Sequence, residues 1–406
     1  MAKKKQKQEA RKPKASPGKV KKKPGKGVVR YDDLWSFVPL SAAQKRRKKQ
    51  VLSSEVRQLK LRKGMPASEV VEAMSGMSIQ ARNIGRCAEV LSNMYSDRKR
   101  PTVLLGLAGP LIAAGLRRVI RDLVVGGYVD AIVSTGAIMY QDVYQARGHA
   151  HFRGTPEADD DELHDLLIDR IYDTYVDDEK FWDCDTWCGR IADELPPGSY
   201  SSRRYLDFLG SKLRDPESIV RQCHRLGVPI FCPALNDSSI GIGLTEHRRR
   251  CLRDGREGVV IDAIADNYEL TQIVVKSPAT AAIYVAGGVP KNFINDSVVM
   301  GYIFGKNRGH TYAIQVTTAV VSDGGLSSST LQEAKSWGKI QKKATTAMAW
   351  VEPSVSLPLL AAYIFDKFPA PCRPRLEYRW EGQILESLTQ VKPKPKAKRS
   401  PLRKRR

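Results

Sequence analysis

A lone lysine follows an indole and a glycine in Ser336-Trp337-Gly338-Lys339-Ile340. Gly324-Gly325-Leu326 lies shortly before it, and Glu333 stands six residues ahead of the lysine. An amine becomes a nucleophile when a nearby aromatic wall strips its ammonium of water and lowers its pKa. The chemistry such a segment offers is covalent transfer of an amine-bearing group. A solvated lysine at a helix C-terminus, where a cation suits the macrodipole, fits the same residues.

The elements that must hold this segment begin at Pro101. Short apolar runs read as strands at 102–107, 128–134, 228–232, 258–262, 281–285, 312–316 and 347–351. Helical stretches separate most of them, at 109–125, 268–275, 292–303 and 354–365, and 160–226 reads as mostly helical. Thr330-Leu-Gln-Glu333 matches a capping box just before the lysine. This alternation predicts an α/β fold, a Rossmann-like parallel sheet with helices on both faces. Residues 28–100 read as an N-terminal helical arm and 101–391 as the main domain.

Ligands in such sheets sit beyond the carboxyl ends of the strands, near a switch point. Those ends carry Gly106-Leu-Ala-Gly109, Ser134-Thr135-Gly136, Asn236-Asp237-Ser238-Ser239, Gly287-Gly288, Thr317-Thr318 and Glu352. Small and hydrogen-bonding residues there suit a nucleotide, because glycine lets backbone approach phosphate and helix N-termini favour its charge. The GxGxxG fingerprint is absent.

The net charge of +23 over 406 residues resembles a nucleic-acid signature, but its distribution argues otherwise. Residues 1–27 hold twelve Lys/Arg and one Glu, and residues 392–406 hold nine Lys/Arg and no acid, which leaves +3 for 28–391. Both ends are Lys- and Pro-rich and too polar to offset chain entropy, so they are expected to be disordered tails. Such tails bind polyanions weakly by counterion release or simply solubilise the chain. The start has no apolar signal core, and the longest apolar run, 103–116, is too short to span a bilayer. A soluble cytoplasmic protein with no membrane partner is expected.

The seven cysteines, at 87, 184, 188, 223, 232, 251 and 372, are odd in number and irregular in spacing. Free thiols in a reducing compartment follow. Cys184 and Cys188 can share a helix face, and His224 beside Cys223 and His247 near Cys251 are loose pairs. None has a second pair at zinc spacing, so no metal site is expected.

Taken together, several segments resemble the deoxyhypusine synthase family over about residues 100–367. The matching pieces are Pro233-Ala-Leu-Asn-Asp237, Gly287-Gly-Val-Pro-Lys-Asn292, Asp323-Gly-Gly, Glu333-Ala-Lys-Ser-Trp-Gly-Lys339-Ile and Pro358-Leu-Leu. The resemblance implies an NAD-binding catalytic domain and a homotetramer with active sites at subunit interfaces. It implies that hydride moves from spermidine to NAD and that an aminobutyl group passes to Lys339 as an imine. The group then goes to a lysine of a hypusine-bearing translation factor, and NADH returns the hydride. By the same resemblance Glu333, Trp337, Asn292, Gly324 and Gly325 bind the polyamine. Trp337 would supply an apolar wall and a cation–π surface, and Glu333 a partner for an ammonium. Gly109, Thr135, Gly136, Asp237, Gly287, Thr318, Ala319, Asp323 and Glu352 fall on the family's NAD positions, with Glu352 in place of an aspartate.

The substrate side departs from that pattern. The family's histidine is Asn292 here, and asparagine takes no proton near neutral pH. Two aspartates that anchor polyamine ammonium groups fall on Ile242 and Leu326, and a paired glutamate reads Tyr140-Gln141. Pro-Lys-Asn and Gly-Gly-Leu-Ser look closest to the bacterial deoxyhypusine synthase-like branch. His149, His151 and His310 remain as possible replacement bases or as ordinary surface histidines. The expected function is therefore NAD-dependent aminobutyl transfer through Lys339. Two alternatives stand beside it: transfer to a small amine, as in homospermidine synthases, and an NAD-binding paralogue or partner subunit with weak turnover.

Overall fold

The computed structural model describes residues 29–31, 35–37, 39–371 and 373–391. The two basic ends and Cys372 lie outside the described residues. The chain divides into two compact units, Met1–Val56 and Arg57–Arg406.

In the first unit Val29–Tyr31 and Trp35–Phe37 pair antiparallel. Ser41 and Gln44 close a reciprocal capping box that starts the helix Ala42–Val51. That helix buries no residue, since Lys45-Arg46-Arg47-Lys48-Lys49 encircle it with charge.

The second unit is built on a six-stranded, wholly parallel sheet. Its strands are β1 (Thr102–Leu107), β2 (Ala131–Ser134), β3 (Ile230–Phe231), β4 (Thr280–Val285), β5 (His310–Val316) and β6 (Ile340–Ala349). Their spatial order is β6-β5-β4-β1-β2-β3. The chain thus steps outward from β1 through β2 to β3, then returns to lay β4, β5 and β6 on the other side. Every residue of β1, β2 and β4 is buried, as a parallel sheet covered on both faces requires. The expected α/β architecture is what the chain adopts. Among the described residues no helix is long and apolar enough to cross a membrane.

Several local expectations are corrected. The helix α1 (Ile79–Ser96) lies in the stretch expected as an arm, yet its Ile84, Leu91 and Met94 are part of the sheet-facing core of the second unit. The boundary between units falls at 56/57 rather than at 100, because the apolar face of α1 has to be buried. Strands also occur at 29–31 and 35–37, where the sequence suggested helix. The stretch 160–226 contains Ile168–Ile171 and Thr174–Asp177, which join Phe152–Arg153 in a small antiparallel sheet. Val259–Ile261 pairs with Gly198–Tyr200 outside the main sheet. After β1 the chain turns first and becomes helical only over Arg117–Val125.

A C-terminal hairpin, Arg375–Glu381 with Ile384–Val391, is tied to the sheet through Asp130. This carboxylate, 4% exposed, receives Arg100 Nη1 and Nη2 at 2.8 and 2.6 Å, Arg373 Nη2 at 2.7 Å and the Val103 amide at 2.8 Å. Removing one member of a buried ionic group strands the others without solvent. Asp130→Ala is therefore expected to lower stability by about 3–5 kcal/mol in urea unfolding.

Candidate active site

The reversal of strand order between β1 and β4 opens a crevice at their carboxyl ends. Gly109 follows β1 and Gly287 follows β4, one on each side of it. Thr135 and Gly136 leave β2, Asp237 lies in the loop after β3, Thr318 and Ala319 leave β5, and Glu352 follows β6. Asp323 stands farther along the loop after β5, in the turn Val321–Asp323. All nine expected cofactor positions thus lie on segments that leave one edge of one sheet. Two of the helices that start at this edge, α2 (Gly136–Ala146) and α3 (Gly288–Ile303), have no side-chain cap. Their first-turn amides form an anion-binding edge. Gly109 has φ +86° with nothing within 4 Å of where a Cβ would stand, so backbone there can approach a phosphate. The edge fits a dinucleotide. Glu352 has a second duty, since its carboxylate accepts the Ser354 amide at 2.7 Å and caps the helix Pro353–Lys367.

The lysine segment forms a separate cavity of about 250 Å3, against α3. Lys339, Glu333, Trp337, Asn292, Gly324 and Gly325 all line it, together with Lys291 and Leu326. Local chemistry builds this wall. Thr330 Oγ1 accepts the Glu333 amide at 3.0 Å, and the Glu333 carboxylate accepts the Thr330 amide at 3.4 Å. The predicted capping box therefore exists, and it starts the single turn Glu333–Ser336. Gly338 then takes φ +71°, with the Tyr302 hydroxyl 2.8 Å from where a Cβ would sit. That hydroxyl donates to the Gly338 carbonyl at 2.6 Å. No larger residue fits the turn, which delivers Lys339 to the face of α3.

Lys339 Nζ lies 3.1 Å from Asp296 Oδ1 and donates to Asn292 Oδ1 at 3.2 Å. Asn292 Nδ2 in turn donates to Asp296 Oδ2 at 2.8 Å. The amine also sits 5.4 Å from the centre of the Trp337 ring. The expected apolar wall needs correction here: Trp337 is 67% exposed, whereas the Lys339 side chain is only 15% exposed. The strongest neighbour of the lysine is a carboxylate. Sequence inspection assigned nothing to Asp296. Its only local signal is the i, i+4 spacing from Asn292, already present in the helix expected over 292–303.

The desolvated amine is instead Lys291, 2% exposed. Its Nζ donates to the Leu326 carbonyl at 3.1 Å, to Ser329 Oγ at 2.9 Å and to the Ser329 carbonyl. Three donors meet three acceptors, so this ammonium pins the loop 324–329 over the cavity. Burial pushes its pKa down to about 8, with Glu333 opposing the shift and Lys339 adding to it.

The other groups singled out in the sequence lie elsewhere. His310 is buried, pairs with Thr280 Oγ1 at 2.8 Å and is pushed down to about 4 by burial. His149 and His151 pack against Tyr144 at 4.9 and 5.5 Å. None of the three presents its ring to Lys339. Asp193, His247 and Cys251 cluster within 4.8 Å. Both ring nitrogens are engaged, Nδ1 with Asp193 at 2.8 Å and Nε2 with the Val259 amide at 3.0 Å. Cys184 and Cys188 are free thiols packed in the core.

The role of Lys291 is open to measurement. Lys291→Met keeps most of the side-chain volume but removes the three donors. Each hydrogen bond from a charged donor contributes about 1.5–3 kcal/mol. Hydrogen exchange of the Ser328 and Ser329 amides, both bonded to the Gly325 carbonyl, should accelerate by about tenfold or more. Unchanged exchange would show that the loop is held by other contacts.

Comparison with known proteins gives the family. The deoxyhypusine synthase family profile matches residues 69–364. A deoxyhypusine synthase-like protein of Chlorobaculum parvum is 43% identical over 321 residues, covering 77% of this chain and 87% of its own. One from Coxiella burnetii is 41% identical, covering 74% and 86%. The probable deoxyhypusine synthase 2 of Methanosarcina mazei is 40% identical, covering 79% and 92%. A solved deoxyhypusine synthase structure from Entamoeba histolytica superposes with a TM-score of 0.52 at 18% identity, over 76% of this chain and 96% of that one. At that identity the likeness speaks for the fold. A profile match over most of the second unit and relatives at 40–43% identity settle the ancestry: the chain belongs to the deoxyhypusine synthase family.

Proposed function

We propose that this chain is an NAD-dependent aminobutyl transferase that carries the group from spermidine, or a related polyamine, as an imine on Lys339. The observation that supports this most is the convergence of Lys339, Glu333, Trp337 and Asn292 on one small cavity beside α3, the helix that starts at the dinucleotide edge. Family membership supports a transferase role, and the residues refine it.

A volume of about 250 Å3 lies below the range of drug-sized ligand sites. It suits a slender aliphatic amine. Glu333, which lines the cavity while holding its capping box, and Asp296, paired with Lys339, supply the carboxylates, and the open ring face of Trp337 supplies a cation–π surface for an ammonium. Gly109, Gly287 and the starts of α2 and α3 would hold the pyrophosphate of NAD. The chemistry NAD supplies when bound is removal of hydride from the carbon beside a donor nitrogen, and its later return. Asn292 and Asp296 lie four and eight residues past Gly288, so the lysine amine sits about 6–12 Å down α3 from that edge.

Assembly as a homotetramer is part of the proposal. Trp337, Leu326, Val320 and Ile242 are apolar and at least 49% exposed, which suits burial against a second copy. The final acceptor is a protein lysine or a small amine such as putrescine.

The test is to incubate the protein with NAD and labelled spermidine, with and without putrescine, then reduce with borohydride. Mass spectrometry should locate an aminobutyl adduct on Lys339, and Lys339→Ala should abolish it. Absence of any adduct with every polyamine tried would remove the covalent reading. Trp337→Leu should raise KM for the donor by about two- to fivefold, the equivalent of about 0.5–1 kcal/mol for an exposed cation–π contact.

A further inference from the structure

Lys339, Asn292 and Asp296 form a closed ring of polar contacts at 3.1, 3.2 and 2.8 Å. Asn292 donates to one oxygen of Asp296 and accepts from the lysine, which leaves the other oxygen facing Nζ. The amide thereby fixes both partners but cannot itself take a proton. The carboxylate can. It is also 41% exposed, so its proton can leave the site.

We propose that Asp296 is the general base of the Lys339 site, an assignment that rests on the covalent-carrier reading above. An ammonium has no lone pair, so attack on an imine carbon requires loss of a proton from Nζ. As the Nζ–carbon bond forms, the C=N π pair moves onto the substrate nitrogen and the bonded Nζ becomes far more acidic than a free ammonium. Asp296 therefore acts twice: it first takes one proton from the ammonium and passes it to solvent, which frees the lone pair for attack, and it takes a second proton from Nζ once the bond has formed. It then delivers this second proton to the departing nitrogen, whose bond to carbon breaks as the new imine forms on Lys339. Atoms and charge balance, and the exchange needs no oxidant or reductant.

The surroundings leave this role to Asp296. Lys291 from α3 itself and Glu333 from the facing turn line the same cavity as Lys339. Lys291 is held by three acceptors on the loop 324–329. Glu333 is engaged in its capping box. Tyr302, also on α3, spends its proton on the Gly338 carbonyl. The His310 ring points to Thr280.

The probe is 4-aminobutanal with cyanoborohydride, which makes a secondary amine on a reactive lysine without NAD or donor oxidation. Site-resolved mass spectrometry follows labelling of Lys339 from mildly acid to mildly alkaline pH. Asp296→Asn should slow labelling by about 100-fold or more and remove the carboxylate limb from the pH profile. Asp296→Glu should recover part of the rate, and added formate should partly restore Asp296→Ala. A carboxylate acting only as an ion-pair partner gives the opposite sign: its removal loosens the proton on Lys339 and labelling near neutrality speeds up. Faster or unchanged labelling in Asp296→Asn, with thermal unfolding near wild type, overturns the proposal. Wild-type protein that takes no label at Lys339 overturns the covalent-carrier reading instead.

Discussion

The reversal of strand order between β1 and β4 is the constraint from which the rest follows. A chain that builds outward from β1 and then returns must leave the two connections diverging at one end of the sheet. Small residues and uncapped helix starts collect there. The same return path launches α3 from the crevice and sends it back across the sheet. That helix links the two sites: its first turn faces the dinucleotide edge, and its second and third turns carry Asn292 and Asp296 to Lys339. Glu352 and Lys339 flank opposite ends of β6. The strand has a register shift against β5, so it covers only the span of His310–Val316, about 20 Å. The positions expected to hold a cofactor therefore ring the edge, while the lysine approaches from beneath it along α3.

Two lysines share one cavity, and their surroundings divide the work. Lys291 is stripped of water and paid back by neutral acceptors, a combination that lowers its pKa and holds a loop in place. Lys339 keeps a carboxylate and an amide oxygen beside it and retains access to solvent. Burial alone would have picked Lys291 as the nucleophile. Its three donors are all committed, however, and an amine with no free valence is a brace rather than a reagent.

What was legible in the sequence follows this division. The first five strands of the main sheet were visible because each has a short apolar run bounded by polar or glycine-rich turns, whereas β6 opens with Ile340-Gln-Lys-Lys343 and only its end, 347–349, was read. The Thr330–Glu333 box was legible because its chemistry is local. Residues 168–177 were not, since their strands alternate Asp and Arg with Ile and Val and resemble a helical surface until their antiparallel partners are known. The packing of α1 into the core was hidden by the basic segment that precedes it. Asp296 was missed because its meaning is tertiary: it acquires a partner only when the turn at Gly338 brings residue 339 to a helix some forty residues earlier in the chain. The grouping of Lys339, Glu333, Trp337 and Asn292 into one cavity, by contrast, followed from family resemblance rather than from any local pattern.

Charge count then governs which amines the cavity can favour. Lys291 and Lys339 face Glu333 and Asp296, two cations against two carboxylates, and each carboxylate already has a partner. Where the family resemblance puts a further aspartate, Leu326 lines the cavity with hydrocarbon, 49% exposed. A donor carrying many positive charges gains little net attraction and must give up its hydration to enter. Hydrocarbon contact with Leu326 and the Trp337 ring rewards methylene length instead, at about 0.8 kcal/mol per buried methylene. Under the polyamine reading proposed above, selectivity depends on how far the spacing between amino groups matches the run from the Asp296 ring to the Trp337 face, and less on total charge.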